Sequence, residues 1–173
     1  MKPRIFLIVL FLSIAVIKGF SQEKNRKELK QERKLEKQKQ TEAMIDARQF
    51  VFIARTALPS EMGSMDLTTN PNYIKFQPDL IDSYMPFFGR AYSGVGYGID
   101  RGLKFKGKPD IFKVEKKAET YQIDVVVKDE SDTFSLYLTV STEGTASLSI
   151  TCNNRSSISY FGAISAFEKP SDK

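Results

Sequence analysis

The sequence predicts a β-rich α+β fold: an antiparallel meander, sandwich or partly open barrel that follows an N-terminal helix. Three features support this prediction. A segment of Glu, Lys, Arg and Gln near the N-terminus has a helical composition, and the second half of the chain alternates apolar and polar residues between short turns. An aromatic stretch with four glycines, residues 79–98, lies between these two parts.

The chain begins with a leader that has the composition of a secretion signal. Two basic residues precede an apolar run of 13 residues, Ile5–Ile17, and small residues at positions 19 and 21 follow at the spacing that a signal peptidase reads. A membrane-spanning helix needs about 20 apolar residues, so this run is too short. We expect cleavage near Ser21 and a periplasmic or secreted protein that is not an integral membrane protein. Retention as an uncleaved anchor is the alternative.

The predicted mature protein has the size of one domain with a single core. Cleavage leaves 173 − 21 = 152 residues, which divide into a charged segment at 22–40, a β-rich domain at 41–168 and a disordered tail at 169–173.

The leader and residues 22–48 carry the excess of basic residues, so residues from 49 onward have a net charge of 14 − 15 = −1. Binding to nucleic acid needs clustered Lys and Arg, so no nucleic-acid partner is predicted.

Residues 22–40 are predicted to form a solvated helix or a flexible tether. Leu29 and Leu35 are their only large apolar residues, while acidic and basic residues each repeat at a spacing of four. The alternative is a docking segment for an anionic membrane surface or a partner protein. Apolar residues return at helical spacing from Thr41, and the helix is expected to continue to about Arg48.

Strands are predicted where aromatic and β-branched residues alternate with polar residues between turn signals. The first half gives strands at 50–57, 73–76 and 102–106, with a weak one at 65–68, whereas residues 80–85 fit a helical turn or a strand equally well. The second half gives strands around 112–116, 121–128, 134–141, 146–152 and 157–161.

The aromatic stretch at 79–98 is predicted to be a bent or bulged segment. Pro86 cannot donate a hydrogen bond to a neighbouring strand, and the glycines permit backbone angles that a side chain would penalise. Its aromatic rings are predicted to fill the core and its edge, and contact with a ligand is the alternative. Residues 160–162 also place two aromatics before glycine. If the two motifs adjoin, they form one aromatic cluster.

The same stretch resembles a known family. Residues 84–92, Tyr-Met-Pro-Phe-Phe-Gly-Arg-Ala-Tyr, look like the Leu-Pro-Tyr-Phe-Gly-Arg-Ala-Tyr signature of domain of unknown function 4251, an uncharacterised family of secreted Bacteroidota proteins. Residues 50–54 with Pro59, and residues 154–162, resemble two further motifs of this family.

The resemblance covers roughly residues 41–165. Met85 and Phe87 stand where the family usually has Leu and Tyr, which are conservative exchanges. The resemblance implies no activity, because the family has none established.

The residues that carry most enzyme and metal chemistry are scarce. The chain has no histidine and one cysteine, Cys152, which is predicted to be buried on the apolar face of a strand; a reactive thiol is the alternative. The glycines at 94, 96 and 98 lack the strand and helix of a dinucleotide-binding loop, and the acidic residues of 129–132 lack the spacing of a calcium loop. We predict no catalytic residue, no metal site and no cofactor.

The predicted function is a non-catalytic ligand-binding or envelope-associated module, whose partner is an unknown small molecule or an envelope protein. An arginine pair beside aromatic rings suits a carboxylate or phosphate group, although arginines that bond backbone carbonyls at the bend explain the pattern equally well. The candidate binding residues are Phe88, Arg90, Tyr92, Tyr97, Arg155 and Tyr160.

One further surface and one alternative function follow from the sequence. The hydroxyl-rich polar phase of residues 135–151 has groups that suit a ligand, but such a phase is typical of a sheet face in water. A carboxylate-based hydrolase acting on envelope or glycan substrates is the alternative function, with Asp79, Asp82 and Asp100 around the aromatic stretch.

Overall fold

The computed structural model describes residues 26–92, 102–130 and 132–167. Within these ranges a helix spans residues 26–46, and strands follow it. The strands are β1 (Phe50–Pro59), β2 (Met65–Asp66), β3 (Tyr73–Gln77), β4 (Leu80–Met85), β5 (Leu103–Gly107), β6 (Pro109–Lys117), β7 (Thr120–Lys128), β8 (Thr133–Ser141), β9 (Thr145–Cys152) and β10 (Ile158–Ser165). Several predictions lie outside the described residues: the signal peptide and its cleavage site, the glycines at 94, 96 and 98, Tyr97, Asp100 and the tail at 169–173.

The strands form one antiparallel sheet in the order β5-β4-β3-β1-β10-β9-β8-β7-β6, with the short β2 paired to β1. The two strands at the ends of this order, β5 and β6, are consecutive in the chain and are separated only by Lys108. Because the chain passes directly from one edge of the sheet to the other, the sheet curves into a nearly closed barrel.

The interior of this barrel is filled by side chains. Alternate residues of β7 and β8 are buried, as expected for strands with one face inward. Aromatic rings meet across the interior: Phe105 of β5 stacks on Phe134 of β8 with ring centroids 4.1 Å apart. Phe76 of β3 stacks on Phe50 at 4.7 Å and contacts Phe112 of β6 edge-on at 6.3 Å. These contacts hold the curved sheet together from within.

The C-terminal part of the helix belongs with the sheet. Thr41 and Ile45 are buried, and Ile45 is part of the hydrophobic core. The side-chain amide of Gln38 donates a hydrogen bond to Oγ1 of Thr142 in the β8–β9 turn (3.4 Å), and Glu42 pairs with Lys116 of β6 (2.7 Å). These contacts place residues 38–46 against one end of the sheet.

The helix is described in two parts, because the chain divides into the compact units Met1–Lys37 and Gln38–Lys173. In the first unit, residues 26–37 are helical and exposed. Even Leu29 and Leu35 are 47% and 51% exposed. Within the described residues, no helix is both long and apolar enough to cross a membrane.

The predicted fold class is confirmed, and two strands differ from expectation for identifiable reasons. Leu80–Met85, which the local pattern left open, is a strand because it pairs with both β3 and β5. The last strand continues to Ser165, beyond the predicted end at Phe161, because Gly162–Ser165 pairs with β1. The bulge between Ala54 and Thr56 lies in β1 and leaves the alternation of β10 intact. The pattern stops too early because Gly162 and Ala163 are residue types that are depleted in strands.

Candidate functional site

Residues 86–92 leave the sheet after β4 and dock onto the loop between β9 and β10. The backbone N–H of Tyr92 donates to the carbonyl of Asn154 (2.8 Å), and that of Ser156 donates to the carbonyl of Arg90 (3.0 Å). The segment is therefore a bent connection held by backbone pairing, in agreement with the prediction from Pro86 and the glycines.

The aromatic residues of this segment have different environments. Phe87 is 8% exposed and joins the core, Phe88 is half-buried, and Tyr92 is 67% exposed. Gly89 permits the close packing, because a Cβ there would lie 2.5 Å from Oγ of Ser156 and 2.7 Å from the ring of Phe87. The segment at 86–92 therefore contributes Phe87 to the core and leaves Tyr92 at the surface.

The two aromatic motifs adjoin, which the sequence left open. The hydroxyl of Tyr160 donates to the carbonyl of Pro86 at 2.7 Å. Tyr160 is completely buried, and this burial raises the pKa of its hydroxyl well above the usual value. The side chain is therefore not exposed to a ligand; it holds the segment that begins at Pro86 in place.

The two candidate arginines do not form a pair that faces one ligand. The guanidinium of Arg155 donates from Nη1 to the carbonyl of Gly102 (2.8 Å) and lies 5.3 Å from the ring centroid of Phe87. Arg90 is exposed and forms an ion pair with Glu61 at 2.9 Å. For Arg155, bonding to the backbone at the bend is the role that the structure shows.

An open cavity of about 280 Å³ lies beside the bent segment. It is bounded by the loop before β3, the end of β4 with the residues that follow it, and the start of β5. Its lining residues are Asn70, Pro71, Tyr84, Met85, Pro86, Phe87, Gly102 and Lys104. Four of these residues belong to the aromatic stretch that the sequence analysis singled out.

Hydrogen bonds to the backbone hold the walls of this cavity. Tyr160 and Arg155 bind the carbonyls of Pro86 and Gly102, which are lining residues. On the opposite wall, the side-chain amide of Asn72 donates to the carbonyls of Ala54 (3.1 Å) and Asn70 (2.9 Å) and accepts from the N–H of Ala54 (2.7 Å). Hydrogen bonds within the protein therefore hold the residues on these walls in place.

The outer face of β3, β4 and β5 carries a row of aromatic and basic side chains next to the cavity. Tyr73, Tyr84 and Lys104 lie opposite one another on the three strands. The two tyrosine rings stack with centroids 5.9 Å apart, Nζ of Lys104 lies 4.3 Å from the ring centroid of Tyr84, and Nζ of Lys75 lies 4.8 Å from that of Tyr73. Tyr84 and Lys104 also line the cavity, so this row reaches the cavity.

The carboxylates proposed for a hydrolase have basic neighbours. Asp79 lies 3.5 Å from Nζ of Lys108, and Asp82 lies 3.9 Å from Nζ of Lys106. Neither aspartate lines the cavity. Among the residues that the structure describes, no group of three or more His, Cys, Asp or Glu side chains has the arrangement of a metal site.

Cys152 lies at the end of β9 and is half-buried rather than fully buried. Burial and the nearby carboxylate of Asp132 raise the pKa of its thiol, which lowers the fraction of reactive thiolate. The carboxylate of Asp132 itself accepts hydrogen bonds from the backbone N–H groups of Thr133 (2.7 Å), Asn153 (3.1 Å) and Asn154 (3.0 Å). These bonds outweigh partial burial and lower the pKa of Asp132, so this acidic residue has a structural role in the loop.

The hydroxyl-rich face exists as predicted from alternation. Ser135 lies opposite Thr151, Tyr137 opposite Ser149, and Thr139 opposite Ser147. Tyr137 is 53% exposed. The face lies on β8 and β9, whereas the cavity lies beside β3, β4 and β5. Substitutions on this face can therefore serve as controls for substitutions at the cavity.

Comparison with known proteins places the chain in a family. A family model described as "Domain of unknown function (DUF4251)" matches residues 32–164. The chain belongs to the DUF4251 family. The family resemblance seen at residues 84–92 is thereby confirmed.

A solved structure has a similar fold to this DUF4251 protein. It is the crystal structure of a DUF4251 family protein from Bacteroides eggerthii, which is 16% identical, with a TM-score of 0.58 over 75% of this chain and 87% of that chain. At this identity the similarity concerns the fold alone. No curated protein matches the chain.

Sequence reasoning missed several residues that line the cavity. Asn70 and Pro71 lie in a polar loop with no distinctive pattern, and Lys104 is one of many lysines. The row of Tyr73, Tyr84 and Lys104 depends on the register of three strands, which a single sequence does not reveal. Of these three residues, only Tyr84 lies in the aromatic stretch at 79–98, where it directly precedes the residues that match the family signature.

Proposed function

We propose that this DUF4251 protein is a secreted or periplasmic, non-catalytic binding module that holds a small molecule in the cavity beside residues 84–87. The observation that carries the proposal is the cavity of about 280 Å³, whose walls are fixed by hydrogen bonds from Asn72, Arg155 and Tyr160. A cavity that combines apolar and aromatic surface with polar groups is typical of a small-molecule site.

The chemistry of the lining supports binding without catalysis. The residues that line the cavity are apolar, aromatic, amide or basic, and the chain has no histidine. Acid–base and nucleophilic catalysis most often use a histidine, a carboxylate, or a cysteine or serine beside a base, and none of these side chains is among the described residues that line the cavity. Lys104 supplies a positive charge, which suits the recognition of a ligand.

The carboxylate hydrolase remains the alternative proposal. It requires two carboxyl groups on either side of a bound glycosidic bond. Asp79 and Asp82 instead lie beside Lys108 and Lys106, outside the cavity lining, which is why the binding function is favoured. Replacing both aspartates by Asn would abolish turnover of an envelope glycan by a hydrolase and leave ligand binding in the cavity unchanged.

Native mass spectrometry of the protein purified gently from its own periplasm tests the binding proposal. The wild-type protein is expected to carry a small additional mass that denaturation removes. Tyr84→Ala removes part of the cavity wall and is expected to lose this mass, whereas Tyr137→Ala removes an exposed tyrosine from the hydroxyl-rich face and is expected to retain it.

Two results would contradict the proposal. A wild-type protein that shows only the mass of the mature chain has no tightly held small ligand. An additional mass that survives Tyr84→Ala, in a variant whose circular dichroism spectrum is unchanged, places the ligand elsewhere. A co-purifying mass of protein size would instead favour the envelope-associated interpretation.

A further inference from the structure

The β8–β10 face, which is the outer face of the adjacent strands β8, β9 and β10, carries no charged residue. It consists of thirteen outward positions, which are the alternate residues of 133–141, 145–151 and 159–165. Eleven of these positions are serine, threonine or tyrosine, and the other two are Phe161 and Ala163. The face is therefore covered by hydroxyl groups.

The absence of charge distinguishes this face from the rest of the same sheet. Asp, Glu, Lys and Arg make up 27% of the protein, and at that frequency thirteen positions would carry three or four of them. The nine outward positions of β6 and β7 carry five: Lys113, Glu115, Lys117, Asp124 and Lys128. A surface that meets only water normally has such charges, so their absence from β8–β10 suggests a different use.

Two exposed aromatic rings lie on the β8–β10 face. Tyr137 is 53% exposed and Phe161 is 48% exposed. Tyr137 lies opposite Ser149, Ser149 lies opposite Ser159, and Phe161 is two residues beyond Ser159. With strands about 4.8 Å apart and about 3.4 Å per residue, the two aromatic positions are about 12 Å apart.

The composition of the face decides between classes of partner. Nucleic acid and anionic membranes bind clustered Lys and Arg, which this face lacks. Protein interfaces are depleted in serine, which is the commonest residue here. Hydroxyl side chains both donate and accept hydrogen bonds, as sugar hydroxyls do, and an aromatic ring offers apolar surface to the C–H groups of a sugar ring.

We propose that the β8–β10 face binds a neutral oligosaccharide. Tyr137 and Phe161 each pack against a sugar ring, and the serines and threonines between them exchange hydrogen bonds with the sugar hydroxyls. Because the face is on the outside of the sheet and has no closing walls, an extended oligosaccharide reaches both rings. None of the described residues that line the cavity belongs to β8, β9 or β10, so this site is separate from the cavity and independent of the function proposed there.

Titration of residues 22–173 with four oligosaccharides tests this inference. Cellohexaose, maltohexaose and mannohexaose are neutral, whereas hexagalacturonate has a carboxylate on every sugar. Binding is followed by the amide chemical shifts of Ser149, Ser159 and Phe161. At least one neutral oligosaccharide is expected to shift these amides and saturate. Its affinity is expected to be at least about tenfold higher than that of hexagalacturonate, because the face has no cation to pair with a carboxylate.

Matched variants identify the groups that bind the sugar. Tyr137→Ala and Phe161→Ala are each expected to weaken binding about tenfold, whereas Tyr84→Ala, which removes another exposed tyrosine, leaves it unchanged. Ser149→Lys places a long charged side chain between the two rings and is expected to weaken binding at least about tenfold. Ile111→Lys adds the same side chain at an exposed position of β6 and is expected to have no effect.

Several results would overturn the inference. These are the absence of shifts with all three neutral oligosaccharides, equal affinity for hexagalacturonate, and unchanged affinity in both Tyr137→Ala and Phe161→Ala. A concentration-dependent dimer in analytical ultracentrifugation, which Phe161→Ala dissociates and no oligosaccharide affects, would assign the face to a second copy of the protein. The mass retained in native mass spectrometry, and its loss in Tyr84→Ala, decides the function of the cavity separately.

Discussion

At the scale of single residues, the side chains around the cavity act mainly on the protein backbone. Tyr160 and Arg155 donate to the carbonyls of Pro86 and Gly102, and Asn72 donates to that of Ala54. Sequence reasoning selected Tyr160 and Arg155 because an aromatic motif and a nearby charge are conspicuous. Their contacts show that they position the residues that line the cavity, whereas Tyr84 and Lys104 line it themselves.

Replacing Tyr160 by Phe tests the importance of the bond to Pro86. The substitution removes one oxygen atom and leaves the partly buried carbonyl of Pro86 without this donor, so we expect the free energy of unfolding to fall by about 1 kcal/mol. Urea denaturation measures the effect.

Tyr137→Phe is the matched control, because the same hydroxyl is removed from a side chain that is 53% exposed. Its expected change lies within about 0.5 kcal/mol. Equal stabilities of the two variants would show that the hydroxyl of Tyr160 contributes nothing through Pro86.

At the scale of secondary structure elements, the pairing of β1 with β10 depends on one glycine. The strands change register between Ala54 and Thr56, which places Gly162 against the backbone of β1. A Cβ on Gly162 would overlap the carbonyl oxygen of Ile53 and approach Cα of Ala54 to 2.8 Å. Both contacts are with backbone atoms, which cannot rotate away as a side chain does.

Gly162→Ala is therefore expected to destabilise the protein by about 2 kcal/mol or more. Gly63→Ala, at a position where a Cβ would meet nothing within 4 Å, is expected to change the stability by no more than about 0.5 kcal/mol. Thermal and urea unfolding of the two variants make the comparison. A Gly162→Ala protein as stable as the Gly63→Ala protein would mean that the bulge relaxes without cost.

Strands were predictable from the sequence to the extent that their two faces differ. The alternation of β7, β8 and β9 reflects one face in the core and one in solvent, so both their existence and their limits could be predicted. β4 was ambiguous because a strand of six residues in a run interrupted by Pro86 has no distinctive period. The end of β10 was missed because Gly162 and Ala163 are residue types that are depleted in strands and show no apolar–polar contrast.

At the scale of the whole molecule, the sequence predicted the fold class but not the order of the strands. The position of β1 between β3 and β10, and the passage from β5 to β6 across the two edges, arise from contacts between distant residues such as Phe105 and Phe134. The cavity has the same origin, since its walls come from residues 70–71, 84–87 and 102–104. Local sequence patterns identify individual strands. The cavity, in contrast, is formed by strand register and sheet curvature, which only the folded structure reveals.

The two parts of the helix differ in burial. Residues 26–37 are exposed, whereas Thr41 and Ile45 are buried against the sheet. Deleting residues 26–37 removes little buried apolar surface, so we expect the melting temperature to change by no more than about 2 °C. Deleting residues 26–46 also removes Ile45 from the core, and we expect a loss of several degrees or failure to fold.

The deletion of residues 26–37 also tests whether the charged segment docks the protein to the envelope. If it does, the variant without residues 26–37 folds normally but moves from the envelope fraction to the soluble periplasmic fraction. Unchanged fractionation would contradict docking, and a large fall in melting temperature for this shorter deletion would contradict the exposed character of residues 26–37. Because stability and location are measured on the same variant, a shift in fractionation with unchanged stability assigns the effect to docking rather than to unfolding.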